Sequence, residues 1–164
     1  MPKACTACKS TKKVELCGVC ESPVCQKCAQ YLPKHSFPLL PVRPPELHHD
    51  TYCGPCYVSK IGPIEEEYAR LSVLAAKVLV FPKAKAEQTR LMDKREKPLS
   101  VEDCEDERDV LLKLAYLAAK EGFNALIYVH VAKKQVRNHA YQTSRWTGHA
   151  IPTKVDEAKL RPDY

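Results

Sequence analysis

The sequence predicts a small metal-held finger followed by an α+β domain. Three observations carry this reading. Four Cys-x-x-Cys pairs, Cys5/Cys8, Cys17/Cys20, Cys25/Cys28 and Cys53/Cys56, crowd the first third of the chain. An amphipathic, helix-length run ends at Gly122. An alternating β-branched and aromatic run, Asn124–Ala132, follows directly. The first observation asks for metal, and the other two ask for a helix packed on a sheet.

The pairs are separated by eight, four and twenty-four residues. A two-residue spacer lets one tight turn aim two sulfurs at one ion, and structural zinc takes four such ligands. Eight thiolates therefore match two Zn2+ ions. The Met-Pro-Lys-Ala-Cys start shows no secretory h-region, so a reducing, cytoplasmic compartment is expected, where paired cysteines favour metal over disulfides. The longest apolar run, near Val73–Phe81, is interrupted by Lys77, too short and too polar to span a bilayer. The formal charge is +6, from 26 basic and 20 acidic residues. Eight thiolates remove eight charges and two zinc ions return four, leaving about +2, weak support for nucleic-acid binding by bulk charge.

Residues 1–60 form the expected finger, too poor in large apolar residues to fold without metal. Its long gap carries Pro33, Pro38, Pro41, Pro44 and Pro45, so it reads as an ordered, polyproline-like strap. Phe37, Leu39, Leu40 and Val42 are expected to cap the metal sites. Residues 61–99 read as a helix and a charged linker. Pro63 and Glu65–Glu67 open the helix, Lys77–Phe81 ends it or forms a short strand, and Lys83–Pro98 is an exposed helix or linker.

Residues 100–152 read as the α+β domain. Ser100-Val-Glu-Asp103 resembles a capping box and predicts a helix over Val101–Glu121, with Val110, Leu111, Leu114, Ala115, Leu117 and Ala118 as its apolar stripe. Gly122 stops it. Asn124–Ala132 is a strand with Ile127, Val129 and Val131 on one face. Lys133–Asn138 is a turn, His139–Gly148 a second strand, Pro152 its end, and 153–164 a mobile tail.

Other candidates have plainer readings. Lys9, Lys12 and Lys13 offset the negative charge of a zinc–tetrathiolate. Cys104, in the first turn of the expected helix, is an inert, half-buried thiol. His35, His48, His49, His130, His139 and His149 are solvated or packed, and Tyr141 and Trp146 pack on a sheet. No catalytic triad, phosphate loop or open metal position is visible, so no enzyme is expected.

Spacing alone allows three ways of sharing the pairs between two ions. The order of pairs, with four residues between Cys20 and Cys25, resembles the FYVE-type zinc finger, one of the FYVE/RING/PHD-like cross-brace modules. That resemblance implies a treble-clef or cross-brace fold with short hairpins and a C-terminal helix. It assigns Cys5, Cys8, Cys25 and Cys28 to one zinc and Cys17, Cys20, Cys53 and Cys56 to the other. The family's lipid-binding stretch of basic-His-His-Cys-Arg is replaced here by Glu21-Ser-Pro-Val-Cys25-Gln26, and its Trp-x-x-Asp is absent, so phosphoinositide binding does not carry over. A RING-like role would want an apolar residue after Cys8, where Lys9 and Ser10 stand. Within residues 109–132, Leu114-Ala-Tyr-Leu-Ala-Ala-Lys-Glu-Gly-Phe-Asn-Ala-Leu-Ile-Tyr-Val129 resembles the helix–strand unit of small bacterial YbjQ-type α+β domains, which implies possible self-association. The expected function is a non-catalytic zinc-binding protein whose finger meets a protein partner. Nucleic-acid binding, a RING-like ubiquitin-ligase-type adaptor role, and metal-trafficking or redox thiol chemistry are the alternatives.

Overall fold

The computed structural model describes residues 3–88 and 92–160. The chain divides into two compact units, Met1–Ala69 and Arg70–Tyr164.

The first unit has little regular structure. β1 (Val14–Leu16) pairs antiparallel with β2 (Pro23–Cys25), and β3 (Gln30–Tyr31) pairs with β4 (Thr51–Tyr52). Strands this short do not hold themselves together. One side-chain and one backbone bond tie them instead: Thr51 Oγ1 donates to Glu15 Oε2 at 2.9 Å, and the Gly18 amide donates to the Thr51 carbonyl at 2.9 Å. After Cys56 the chain turns helically through Tyr57–Ile61 into α1 (Gly62–Ala75). The prolines and Glu65 stand where a helix start needs them.

The Pro-rich strap does not cap the cysteines. Phe37 joins Leu32, Leu47, Tyr52 and Ile61 in a separate buried cluster, with Leu40 and Tyr68 at its edge. Phe37 and Tyr68 meet edge-to-face at 5.1 Å, and the Tyr52 hydroxyl donates to the carbonyls of Glu46 and His49 at 2.6 and 2.8 Å. Val42 is 81% exposed. The cysteines have their own apolar lining in Val14, Val24 and Ala29, and Phe37 and Leu40 of the strap bury their surface with Ile61 and Tyr68 instead.

The second unit is a four-stranded sheet in the order β5-β7-β8-β6. β5 (Leu79–Val80) runs parallel to β7 (Ala125–Asn138), and β8 (Tyr141–Thr153) lies antiparallel to both β7 and β6 (Leu99–Cys104). α2 (Lys83–Gln88) and α3 (Glu107–Lys120) complete it. α3 packs against β6, β7 and β8 through Val110, Leu114, Ala115 and Ala118. Elsewhere Phe81, Ala86, Met92, Ala125, Ile127 and Val155 form a second cluster.

Several expectations are corrected here. The helix does not start at Val101. Leu99, Val101 and Cys104 are buried in β6, and Asp106 caps α3 by accepting from the Asp109 amide at 2.7 Å. Pairing with β8 outweighs the local capping pattern at Ser100–Asp103, and Asp103 takes φ 55° in a bulge against β8. Cys104 is thus a fully buried strand residue. Lys83–Gln88 is helical, and Ala86 and Met92 are buried, so residues 61–99 supply part of the core.

Lys133–Asn138 is strand, and the turn is His139-Ala140, with His139 at φ 52°. The simple alternation of β7 breaks at Tyr128 (φ 51°), where Tyr128 and Val129 oppose one residue of β8. Ile127 and Val131 therefore face opposite sides. Pro152 sits inside β8. β6 reaches only Ala150, so the flank of Pro152 on that side carries no ladder. Nor is residue 153 the start of a tail: the Asn124 side chain clamps Val155, with 2.8 Å bonds to both its carbonyl and its amide. Residues 161–164 of the expected tail lie outside the described residues.

Candidate metal centre

Each Cys-x-x-Cys pair sits in the same kind of turn. The amide four residues after the first cysteine donates to that cysteine's carbonyl, from Lys9 to Cys5, Glu21 to Cys17, Ala29 to Cys25 and Tyr57 to Cys53, all at 2.9 Å. The loop this closes places both sulfurs on one side. At the first two turns the closing residue is left-handed, Lys9 at φ 61° and Glu21 at φ 57°. Glycine fits that conformation without cost, yet this chain uses long charged side chains. Nothing in the spacing marks Lys9 or Glu21 for this role.

The four turns converge in two groups. Cys5, Cys8, Cys25 and Cys28 bring their sulfurs within 4.8 Å of one another, as do Cys17, Cys20, Cys53 and Cys56. The first pair thus shares with the third and the second with the fourth, the interleaved arrangement of a cross-brace. Of the three sharings open to the sequence, only this one is formed. Cys104 stands apart from both groups among the described residues.

The geometry suits a tetrahedral, thiophilic ion. Four sulfurs at about 2.3 Å from zinc lie about 3.8 Å apart. Cys8 and Cys25 sulfurs are 3.4 Å apart, and Cys20 and Cys53 sulfurs 3.7 Å. Cys5, Cys17, Cys25 and Cys53 are buried and their partners more open. Each group can therefore hold one metal ion, and the donor set is compatible with two zinc ions.

The electrostatics point the same way. The Cys8 amide, with that of Cys25, holds the Cys5 thiol down to about 6. The Ser22 hydroxyl and amide bring Cys20 to about 6. The Cys8 side chain, then the Cys28 amide, lowers Cys25 despite burial. At Cys17, burial is outweighed by the amides of Cys20 and Cys53, and the thiol is lowered. Three other sulfurs move the opposite way: Cys8 and Cys25 push Cys28 up to about 12, and burial raises both Cys53 and Cys56. A divalent cation binds the thiolate form and displaces the protons that thiols retain, so metal binding completes what the amides and Ser22 begin.

The surroundings are basic and polar. Beside the first group, Cys8, Ser10, Lys12, Lys13, Cys25, Gln26 and Lys27 line a cavity of about 760 Å3. At the second, His49 lies over Gly18 inside the Cys17–Cys20 turn, so close that a Cβ on Gly18 would sit 2.2 Å from the imidazole Cγ. His35, His48 and His49 are exposed and none joins a sulfur group. In the second unit, His130 and His149 stack at 5.0 Å across β7 and β8, Trp146 is half-buried, and Tyr141 is 78% exposed.

Fold and site together define a class: a two-centre, all-cysteine, cross-braced finger-like module on the same chain as an α+β unit. No protein-family model, curated protein or solved structure matches this chain.

Proposed function

We propose that this is a non-catalytic, cytoplasmic zinc protein whose treble-clef, FYVE-like finger presents a rigid surface to a protein partner. The observation that carries the reading is the pair of closed four-cysteine groups. Four sulfurs fill a tetrahedral ion and leave no position for the water that catalytic zinc needs. The metal then acts on the fold, because strands of two and three residues gain little stability without it. Apolar side chains left in solvent on this unit supply contact area for a partner: Leu16, Tyr31, Val42 and Val58. No helix is long and apolar enough to cross a membrane among the described residues.

Native mass spectrometry with elemental analysis tests the metal half. Two zinc ions per chain, with loss of finger structure on chelation, are expected; zero or one ion defeats the reading. The same spectrum reports whether the chain self-associates. Affinity capture with the metal-loaded chain and a Val42→Asp/Val58→Asp variant tests the partner half. A partner held by the first and released by the second is expected, and equal capture by both argues against this surface. A metal-trafficking role predicts instead that zinc leaves for a competing chelator while the fold persists.

A further inference from the structure

β7 and β8 outrun the rest of their sheet. β5 pairs with β7 only at Ala125 and Leu126, and β6 pairs with β8 no further than Trp146. From Lys133 to Arg145 the two strands continue alone, paired only with each other around His139-Ala140. At about 3.4 Å per residue this is an arm of about 20 Å. All its residues are exposed except Val136, which is half-buried.

The arm is purely basic. No aspartate or glutamate occurs from Gly122 to Val155, while Lys133, Lys134, Arg137 and Arg145 lie on the arm itself. Among the described residues, none of these four cations pairs with a carboxylate. Six acids of this unit cluster instead on β6 and at the start of α3, at Glu102, Asp103, Glu105, Asp106, Glu107 and Asp109, and the others also lie outside Gly122–Val155. The small net charge of the whole protein hides this separation.

The register sharpens the point. Lys134 stands directly opposite Arg145, a like-charge cross-strand pair that costs stability when nothing anionic lies between them. On the other face, Lys133 Nζ lies 5.8 Å from the Trp146 ring centre, and Gln142 donates to Gln135. Asn138, Thr143 and Ser144 add amides and hydroxyls to the cations, and Tyr141, 78% exposed beside the turn, is the large aromatic among them.

We propose that this arm is a nucleic-acid-binding β-ribbon that grips the phosphate backbone of a duplex and lies along its major groove. A two-stranded ribbon fits that groove, about 12 Å wide. Lysine and arginine neutralise phosphates, and glutamine, asparagine and hydroxyl groups supply the donors that both phosphates and base edges accept. The site lies outside the finger and is independent of the metal centres.

Fluorescence anisotropy of a short labelled DNA duplex with the full, metal-loaded chain tests this across a salt series. Binding at low salt is expected. The Lys134→Ala/Arg137→Ala/Arg145→Ala variant is expected to bind at least tenfold more weakly. Its plot of log affinity against log salt should be shallower by roughly 0.9 per phosphate contact removed. The substituted side chains are exposed and the variant removes the Lys134–Arg145 repulsion, so its melting temperature should equal or exceed the parent's. Lys134→Arg should retain binding, which keeps the result interpretable if the triple variant is destabilised. Absence of binding at low salt overturns the proposal. So does loss of binding in a Lys9→Ala/Lys12→Ala/Lys13→Ala variant while the arm variant still binds. Competition by polyglutamate or anionic vesicles as effective, charge for charge, as by unlabelled duplex also overturns it. A single strand or an RNA duplex that binds more tightly overturns the groove assignment.

Discussion

Gly148 of β8 lies directly beneath Val110 of α3. A Cβ built at 148 would fall 2.3 Å from Val110 Cγ1 and 3.0 Å from the His130 carbonyl oxygen. The helix can approach the sheet this closely because residue 148 has no side chain. Gly148→Ala should lower stability by about 1–3 kcal/mol, the usual range for overpacking. Urea unfolding would measure it, and adding Val110→Ala should restore part of the loss. Unchanged stability in the single variant would mean that α3 is not seated here.

The interleaved cysteines predict a stoichiometry. Cys28→Ser should remove one ion and leave the Cys17, Cys20, Cys53 and Cys56 group loaded; Cys56→Ser should do the reverse. Each variant should carry one zinc by native mass spectrometry. Loss of both ions from either variant would show that the two centres load only as a unit.

Thiol counting separates the ninth cysteine from the other eight. Burial raises the Cys104 thiol, the Asp109 carboxylate adds to that rise, and the sulfur donates to the Glu102 carbonyl at 3.6 Å. With metal bound, a thiol reagent should find few reactive groups. After chelation the eight paired cysteines should react, and Cys104 should follow only when the α+β unit is unfolded in urea. Early modification of Cys104, located by peptide mapping, would contradict its place in β6.

Lys9 and Glu21 pay a backbone cost that glycine avoids. Glu21→Gly should leave metal-loaded stability unchanged or raise it by up to about 1 kcal/mol. Glu21→Val should lower it, since a β-branched side chain suits a left-handed position poorly. Midpoints of zinc release against a chelator would rank Gly, Glu and Val in that order, and the opposite order would remove the strain argument.

Tyr57 links pH to the first unit. Its hydroxyl donates to Glu65 Oε1 at 2.6 Å, and that carboxylate, with burial, pushes the phenol up from 10.0 to about 12. A raised acid keeps its proton longer in the folded state. Its stabilising contribution is therefore full below pH 10 and is lost as pH rises toward 12. Absorbance titration of the parent against Tyr57→Phe should show one late-ionising tyrosine missing from the variant. If the two curves coincide, the hydrogen bond does not form in solution.

The two units differ in how much their sequences disclose. In the finger, thiolate chemistry dictates structure: a two-residue spacer admits one kind of turn, so the ligand candidates are plain, and the resemblance singles out one sharing. The strap's packing is hidden because Phe37 meets Ile61 and Tyr68, partners more than twenty residues away that no local pattern links to it. In the second unit, the stripe Val110, Leu114, Ala115 and Ala118 is helical in pattern and buried in fact. Local signals fail where pairing overrules them, with Ser100–Asp103 imitating a cap inside a strand. The bulges at Asp103 and Tyr128 use residues that give no glycine-like warning. The exposed arm from Lys133 to Arg145 has the composition of a loop because no core selects its residues; the partner strand alone makes it β.

The interleaving also sets an order of events during synthesis. The ligands of the first centre are complete once Cys28 has left the ribosome, whereas Cys17 and Cys20 must wait for Cys53 and Cys56. While the strap is translated, one set of four ligands is complete and the pair Cys17 and Cys20 still lacks its partners. An ion that fills the first centre at that stage occupies Cys25 and Cys28 and so keeps them from Cys17 and Cys20, only four residues upstream.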